Sequence, residues 1–163
     1  MPAMKLYLVS AFLLLSGALA FGKAAERIHF PANGFSIEPL EDPSPDMTTP
    51  SAPLVMTLPP SGGFAPNLNV NIQPFTGALE EYVKVSEAQF TAGNYKVLNA
   101  KKLDDKTWVW EYRGTSNGVE LRFYSKVLVT GKLAYLSTAT ATEPQWKKYA
   151  DKLKSTVNSF KLD

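Results

Sequence analysis

Apolar and polar residues alternate most cleanly over Asn67–Phe75 (NLNVNIQPF), where Leu68, Val70 and Ile72 take one face and Asn67, Asn69 and Asn71 the other. A period of two predicts a strand with one packed face and one polar, partly solvated face. Phe35–Leu40 alternates in the same way, and Leu54–Leu58 reads as a further short strand closed by Pro59-Pro60. Between them, Glu41–Pro53 (EDPSPDMTTPSAP) carries four prolines among acidic and hydroxyl residues. Proline has no backbone donor and a fixed φ, so this stretch is expected to be a surface loop. Ser61-Gly62-Gly63 is a second flexible connection.

After Phe75 the period changes. Leu79, Tyr82, Val83, Ser86 and Phe90 fall on one helical stripe, with Glu80, Glu81, Lys84 and Glu87 off it. Thr76 or Gly77 is the expected cap, Glu80 and Glu81 suit the positive dipole end, and Gly93-Asn94 is the expected stop. Four strands are then predicted at Tyr95–Leu103, Thr107–Thr115, Val119–Val129 and Leu133–Thr142. Their connections are short, and Asn117-Gly118 is a strong hairpin signal, so the neighbours must be antiparallel. A second amphipathic helix opens at Pro144, with Trp146, Tyr149, Leu153, Val157 and Phe160 on its apolar stripe. Lys147, Lys148, Asp151, Lys152 and Lys154 are expected to face water. The pattern is that of an α+β protein, an antiparallel meander covered by two helices.

The first residues change the picture of where the protein works. Lys5 precedes the apolar run Leu6–Leu15, and the small residues Ala18 and Ala20 follow. That order of charge, apolar core and small-residue exit predicts a cleavable export signal over residues 1–20, with cleavage after Ala20. Leu6–Gly22 is seventeen uncharged residues, at the short limit of a membrane span and diluted by glycine and alanine. The expectation is a periplasmic or secreted protein that meets the membrane only through an uncleaved signal. Residues 21–33 read as a lead-in and 34–163 as a single domain. The chain has no cysteine, which excludes disulfides and a lipidated cysteine. The formal net charge is +2, and removing Lys5 with the signal leaves +1. A near-neutral domain gives no electrostatic case for nucleic acid.

Several segments in order carry a family resemblance: Gly34-Phe35-Ser36-Ile37, the Asn67–Val70 strand and Leu79-Glu80-Glu81-Tyr82. The aromatic meander, Ala134–Ala139 (AYLSTA), Trp146-x-x-Tyr149 and Ser159-Phe160 follow. Taken together, this order resembles the PsbP/Mog superfamily, which includes the bacterial DcrB-like envelope proteins. The resemblance implies an antiparallel sheet sandwiched by helices, in an α/β/α arrangement, and an accessory protein that binds partners. It brings no catalytic set to transfer. The long Pro-rich loop and the absent lipidation cysteine set this chain apart from lipidated members.

The candidate chemistry is thin. His29 is the only histidine; a histidine base needs an orienting partner and a group to activate, so an exposed lead-in residue is the stronger reading. Glu41, Asp42 and Asp46, or Asp104 and Asp105, lack the spacing of a calcium loop, and no metal or cofactor is expected. Glu80 and Glu81 point about 100° apart on a helix and cannot converge on one bond. Pro60-Ser61-Gly62-Gly63 lacks the lysine and helix start of a phosphate loop.

The aromatics are the best lead. Trp108, Trp110 and Tyr112 alternate along one strand face, and Thr107, Val109, Glu111 and Arg113 along the other. One reading places the Trp face beneath a helix as core, since aromatic cross-strand pairs stabilise sheets. The other is an open aromatic face that binds a partner peptide or apolar ligand, with Arg113, Arg122, Tyr124 and Lys126 supplying specificity. The expected function is a monomeric, non-catalytic accessory protein of the cell envelope that holds or stabilises a protein partner. The alternative is a carrier of a small apolar or lipid-like ligand in a pocket between sheet and helix. A serine hydrolase with a site dispersed along the chain stands third.

Overall fold

The computed structural model describes residues 27–40 and 54–163. The export signal expected over residues 1–20 and the loop expected over Glu41–Pro53 lie outside the described residues. In chain order the elements are β1 (Ile28–Phe30), a 3-10 turn (Pro31–Asn33), β2 (Phe35–Ile37), β3 (Leu54–Thr57), β4 (Asn67–Pro74) and α1 (Leu79–Ala92). There follow β5 (Lys96–Lys102), β6 (Thr107–Ser116), β7 (Val119–Val129), β8 (Leu133–Thr142), α2 (Glu143–Ser159) and β9 (Lys161–Leu162).

Six strands form one antiparallel sheet in the order β3-β4-β8-β7-β6-β5. The meander from β5 to β8 is therefore as the turns predict. Asn117 and Gly118 both adopt positive φ, 50° and 78°, and this is the conformation that lets a two-residue turn follow the twist of its strands. A second, three-stranded sheet in the order β1-β2-β9 was not predicted. It joins the chain's two ends, with Ile28 opposite Ile37 and Phe35 opposite Leu162. Part of the segment read as a lead-in is thus a paired strand, and the strand expected over Phe35–Leu40 is regular only to Ile37.

The large sheet separates two cores. On one side α2 and the small sheet bury Phe35, Ile37, Leu68, Val70, Leu153 and Phe160. Small residues on this face of β8, Ser137, Ala139 and Ala141, are all fully buried, and they let α2 lie close to the strands. On the other side α1 packs Leu79, Tyr82 and Val83 against Trp110, Val127 and Val129.

The helix starts differ in one detail from expectation. The cap of α1 is Ala78, not Thr76 or Gly77, and Ala78 N–H donates to Glu81 Oε2 at 3.1 Å. In α2, Thr142 N–H donates to Gln145 Oε1 at 3.0 Å, and Pro144 sits in the first turn. Gln145 also donates from Nε2 to Ser61 O (2.9 Å) and Phe64 O (2.8 Å), pinning the 59–66 connection to the helix. Among the described residues no helix is long and apolar enough to cross a membrane.

Candidate functional site

The alternation of β6 sends Trp108, Trp110 and Tyr112 to the α1 side. There they meet a ring cluster. Phe90 of α1 stacks on Tyr112 with centroids 4.3 Å apart and meets Trp110 edge-on at 5.8 Å. Tyr112 stacks in turn on Phe123 of β7 at 4.8 Å, and Tyr95 meets Tyr112 edge-on at 5.9 Å. Trp110 is 1% exposed and Tyr112 is buried, so the core reading of these two holds. Trp108 is partly buried, and its buried Nε1–H has no partner among the described residues.

Polar atoms thread this cluster in definite pairs. Trp110 Nε1–H donates to Glu87 Oε1 at 3.2 Å. The Tyr112 hydroxyl lies 3.2 Å from Ser125 Oγ, which is 2.9 Å from Thr138 Oγ1. Tyr82 OH donates to Gln73 Oε1 at 3.3 Å. Burial pushes both the Tyr82 and the Tyr112 phenol above the ordinary tyrosine value, so both are neutral across the physiological range.

Beside α1 the cluster opens into a crevice of about 220 Å3. Its floor is Trp110, Tyr112, Ser125 and Leu136; its walls are Tyr82, Val85, Ser86, Gln89 and Phe90 from α1, with Gln73 and Phe75 at the end of β4. Gly114 shapes the neighbouring surface, because a Cβ there would collide with the Tyr95 ring. Gly114→Val is expected to cost about 2 kcal/mol by displacing that ring, read as a lowered thermal midpoint with weakened near-ultraviolet aromatic dichroism.

The charged candidates are elsewhere. Register places Arg113 opposite Arg122, Glu111 opposite Tyr124 and Val109 opposite Lys126, all on the α2 side of the sheet. The six candidate residues therefore do not form one cleft. Trp108, Trp110 and Tyr112 lie on one side, and Arg113, Arg122 and Tyr124 lie on the other. Arg113 is exposed and lines a polar hollow with Lys96, Glu120 and Glu143. Arg122 donates to Glu111 Oε1 from Nη2 (2.6 Å) and Nε (3.0 Å), reaches Glu143 at 3.2 Å, and lies 5.8 Å from the Trp146 ring centroid. Tyr124 OH donates to Asn158 at 3.1 Å, and Lys126 Nζ donates to the carbonyls of Asn158 (3.0 Å) and Phe160 (2.9 Å) at the end of α2. A cation there meets the negative end of the helix dipole.

The hub of this network is Glu111, which the sequence reading set on the far face without a role. It is buried and also accepts a 2.7 Å hydrogen bond from Lys154. Lys154 therefore turns inward instead of facing water. Burial pushes the Glu111 carboxyl up, but the hydrogen bonds and charges of Lys154 and Arg122 outweigh it and hold the group below the ordinary carboxylate value. A glutamate amid apolar and aromatic strand residues was the available sequence signal. His29 is exposed on β1, with Nδ1 3.6 Å from Asp163 Oδ2. Among the described residues no three histidine, cysteine, aspartate or glutamate side chains gather as metal ligands.

An antiparallel sheet between helices, with an aromatic-floored crevice under one of them, makes this an α+β fold. No family model matches the chain, and no curated protein matches it by sequence. Solved structures do. The solution structure of cyanobacterial PsbP from Synechocystis superposes with a TM-score of 0.57 at 14% identity, over 91% of this chain and 99% of that one. LpqN of Mycobacterium tuberculosis, described as involved in cell envelope biogenesis, superposes with a TM-score of 0.58 at 13% identity, over 87% of each chain. A Pseudomonas aeruginosa protein of unknown function gives 0.54 at 13% identity, over 82% of this chain and 93% of that one. The likeness is one of fold.

Proposed function

We propose that the chain is an exported, non-catalytic accessory protein of the cell envelope that holds a protein partner against the edge formed by β5 and α1. One observation carries this reading. Of the five large hydrophobic residues exposed among the described residues, three belong to this edge, Val97 and Leu98 on β5 and Leu103 just after it, while Val85 lies on α1 beside the crevice. β5 is an edge strand, every residue of it exposed, with unpaired backbone groups along its outer side. Lys96, Lys101 and Lys102 and an irregularity between Val97 and Asn99 interrupt that edge, devices that discourage pairing with a second copy. The export-signal pattern of residues 1–20 and the shared fold with an envelope-biogenesis protein support the location.

The crevice favours a second reading, a carrier of a small apolar ligand, because its floor is aromatic. Its volume of about 220 Å3 falls below the ~300–1,000 Å3 of ordinary small-molecule sites. It suits a side chain inserted by a partner better than a whole lipid.

The test places a photo-crosslinking residue at Leu98 in cells. One dominant envelope protein should be captured, and a Val97→Glu/Leu98→Glu variant should lose its co-purification while Val119→Glu retains it. Equal co-purification of that protein with the parent and both variants would overturn the proposal.

A further inference from the structure

The α1 side of the large sheet has a second half, which α1 reaches only near its start, where Tyr82 OH donates to Gln73 of β4. The helix lies along β5 and β6, and Asn67, Asn69 and Asn71 of β4 stay partly exposed beyond it. Pairing sets Asn67 opposite Thr140 and Asn69 opposite Thr138, with Thr57 of β3 on the other flank of Asn67. Thr138 and Thr140 lie recessed between the rows, and Thr138 continues through Ser125 to the Tyr112 hydroxyl. The result is a grid of amides and hydroxyls, about 4.8 Å across strands and 6.8 Å along them, on the scale of one sugar ring.

Charge is what sets this grid apart. Charged residues make up 20% of the chain, yet on this side β3, β4, β7 and β8 carry none. The opposite side of β7 alone presents Glu120, Arg122 and Lys126. Asparagine is depleted in strands, so three in alternation do nothing for the fold that threonine would not do better. Their valences are only partly spent: Asn67 Nδ2 donates to Ala65 O at 3.1 Å. Asn71 Nδ2 donates weakly to Asn69 Oδ1 at 3.4 Å. Among the described residues the Asn69 NH2 group and the Asn71 amide oxygen have no protein partner. An ion would find no counter-charge here, and an apolar ligand would strand the amides without hydrogen bonds. A neutral ligand dense in hydroxyl and amide groups satisfies both conditions.

We infer that the Asn67–Asn69–Asn71 face of β4, with Thr138 and Thr140 of β8, is a binding surface for a neutral oligosaccharide. It lies apart from the β5–α1 edge, so one molecule can hold a protein partner and a glycan together.

The test titrates the 15N-labelled full chain with cellohexaose, chitohexaose and maltohexaose in turn. At least one should shift the side-chain amide signals of Asn67, Asn69 and Asn71, with an affinity that salt leaves unchanged. An Asn69→Ala/Asn71→Ala variant of unaltered thermal midpoint should bind about tenfold more weakly, the loss of two modest hydrogen bonds. Val97→Glu/Leu98→Glu should bind the sugar as the parent does, which separates this site from the partner edge. No shift with any of the three sugars, shifts confined to β5 or the α1 crevice, or an unchanged affinity in the asparagine variant would each overturn the inference.

Discussion

Trp110→Ala is expected to lower the unfolding free energy by about 4 kcal/mol, within the range for a buried large aromatic cut to a methyl group. Domains of this size are stable by roughly 5–15 kcal/mol, so a single change would remove a large share of the total. The cause is local. The indole is 1% exposed and supports Phe90 of α1 across 5.8 Å. Its Nε1–H also satisfies Glu87, 3.2 Å away. Removing it leaves a void under a helix that has few other anchors on β5 and β6, and the void cannot fill without α1 shifting. Urea unfolding followed by far-ultraviolet dichroism is the measurement, with the midpoint lowered and the slope unchanged if the denatured state is unaffected. Trp108→Ala, at a partly buried position, is expected to cost less. An open binding platform predicts the reverse of all this, a Trp110 variant as stable as the parent. A loss under about 1 kcal/mol, the size of an ordinary surface change, would reject the buried role.

That contrast marks how far the sequence could be read. Strand alternation and the helical stripes sufficed for β4, β6 to β8 and both helices, because each buries a face longer than one turn or two residue pairs; β5, exposed throughout, was legible only from the Gly93-Asn94 stop and the Asp104-Asp105-Lys106 turn on either side of it. Alternation failed for β1 and β9. These have three residues and two residues, too short for a period, and Phe35 pairs with Leu162, 127 positions later in the chain. The aromatic face was legible for the same reason as its strand. Its partners were not, since alternation assigns a side within one strand but says nothing about which side of the next strand it matches. Only the register of Glu111 with Tyr124 and Arg113 with Arg122 puts the arginines across the sheet from the tryptophans. The asparagine row shows the same limit: its polar face was visible in β4, but its threonine neighbours Thr138 and Thr140 come from a strand some seventy residues later. Helical period places Lys154 between Leu153 and the exposed residues and so predicts a solvated side chain, but an amphipathic side chain at such a boundary can turn inward when a carboxylate waits beneath.

Glu111→Ala is the second large effect, expected at about 3 kcal/mol, because removing one member of a buried ion cluster leaves its partners uncompensated. Arg122 and Lys154 would then face each other under α2 with only Glu143 left on Arg122. The intact cluster also sets a pH dependence. With its folded-state pKa held below the unfolded value, Glu111 contributes stability that is fully present above the ordinary carboxylate range, about pH 4.5 and upward. As pH falls through the depressed folded value the carboxyl takes up a proton and the contribution disappears, because in that window the unfolded chain binds more protons than the folded one. Parent stability should therefore decline on acidification below about pH 4.5. Glu111→Gln keeps the size of the side chain but cannot ionise, so its loss at pH 7 should shrink toward zero as the pH drops and the two curves converge. Asp104 and Glu80, whose carboxyls are also held low by hydrogen bonds to the Lys106 amide and to the Lys102 side chain, titrate equally in both proteins and cancel in the difference. Denaturant melts of the two proteins at successive pH values measure it directly, and parallel curves would mean that Arg122 and Lys154 do not hold Glu111 in its charged form.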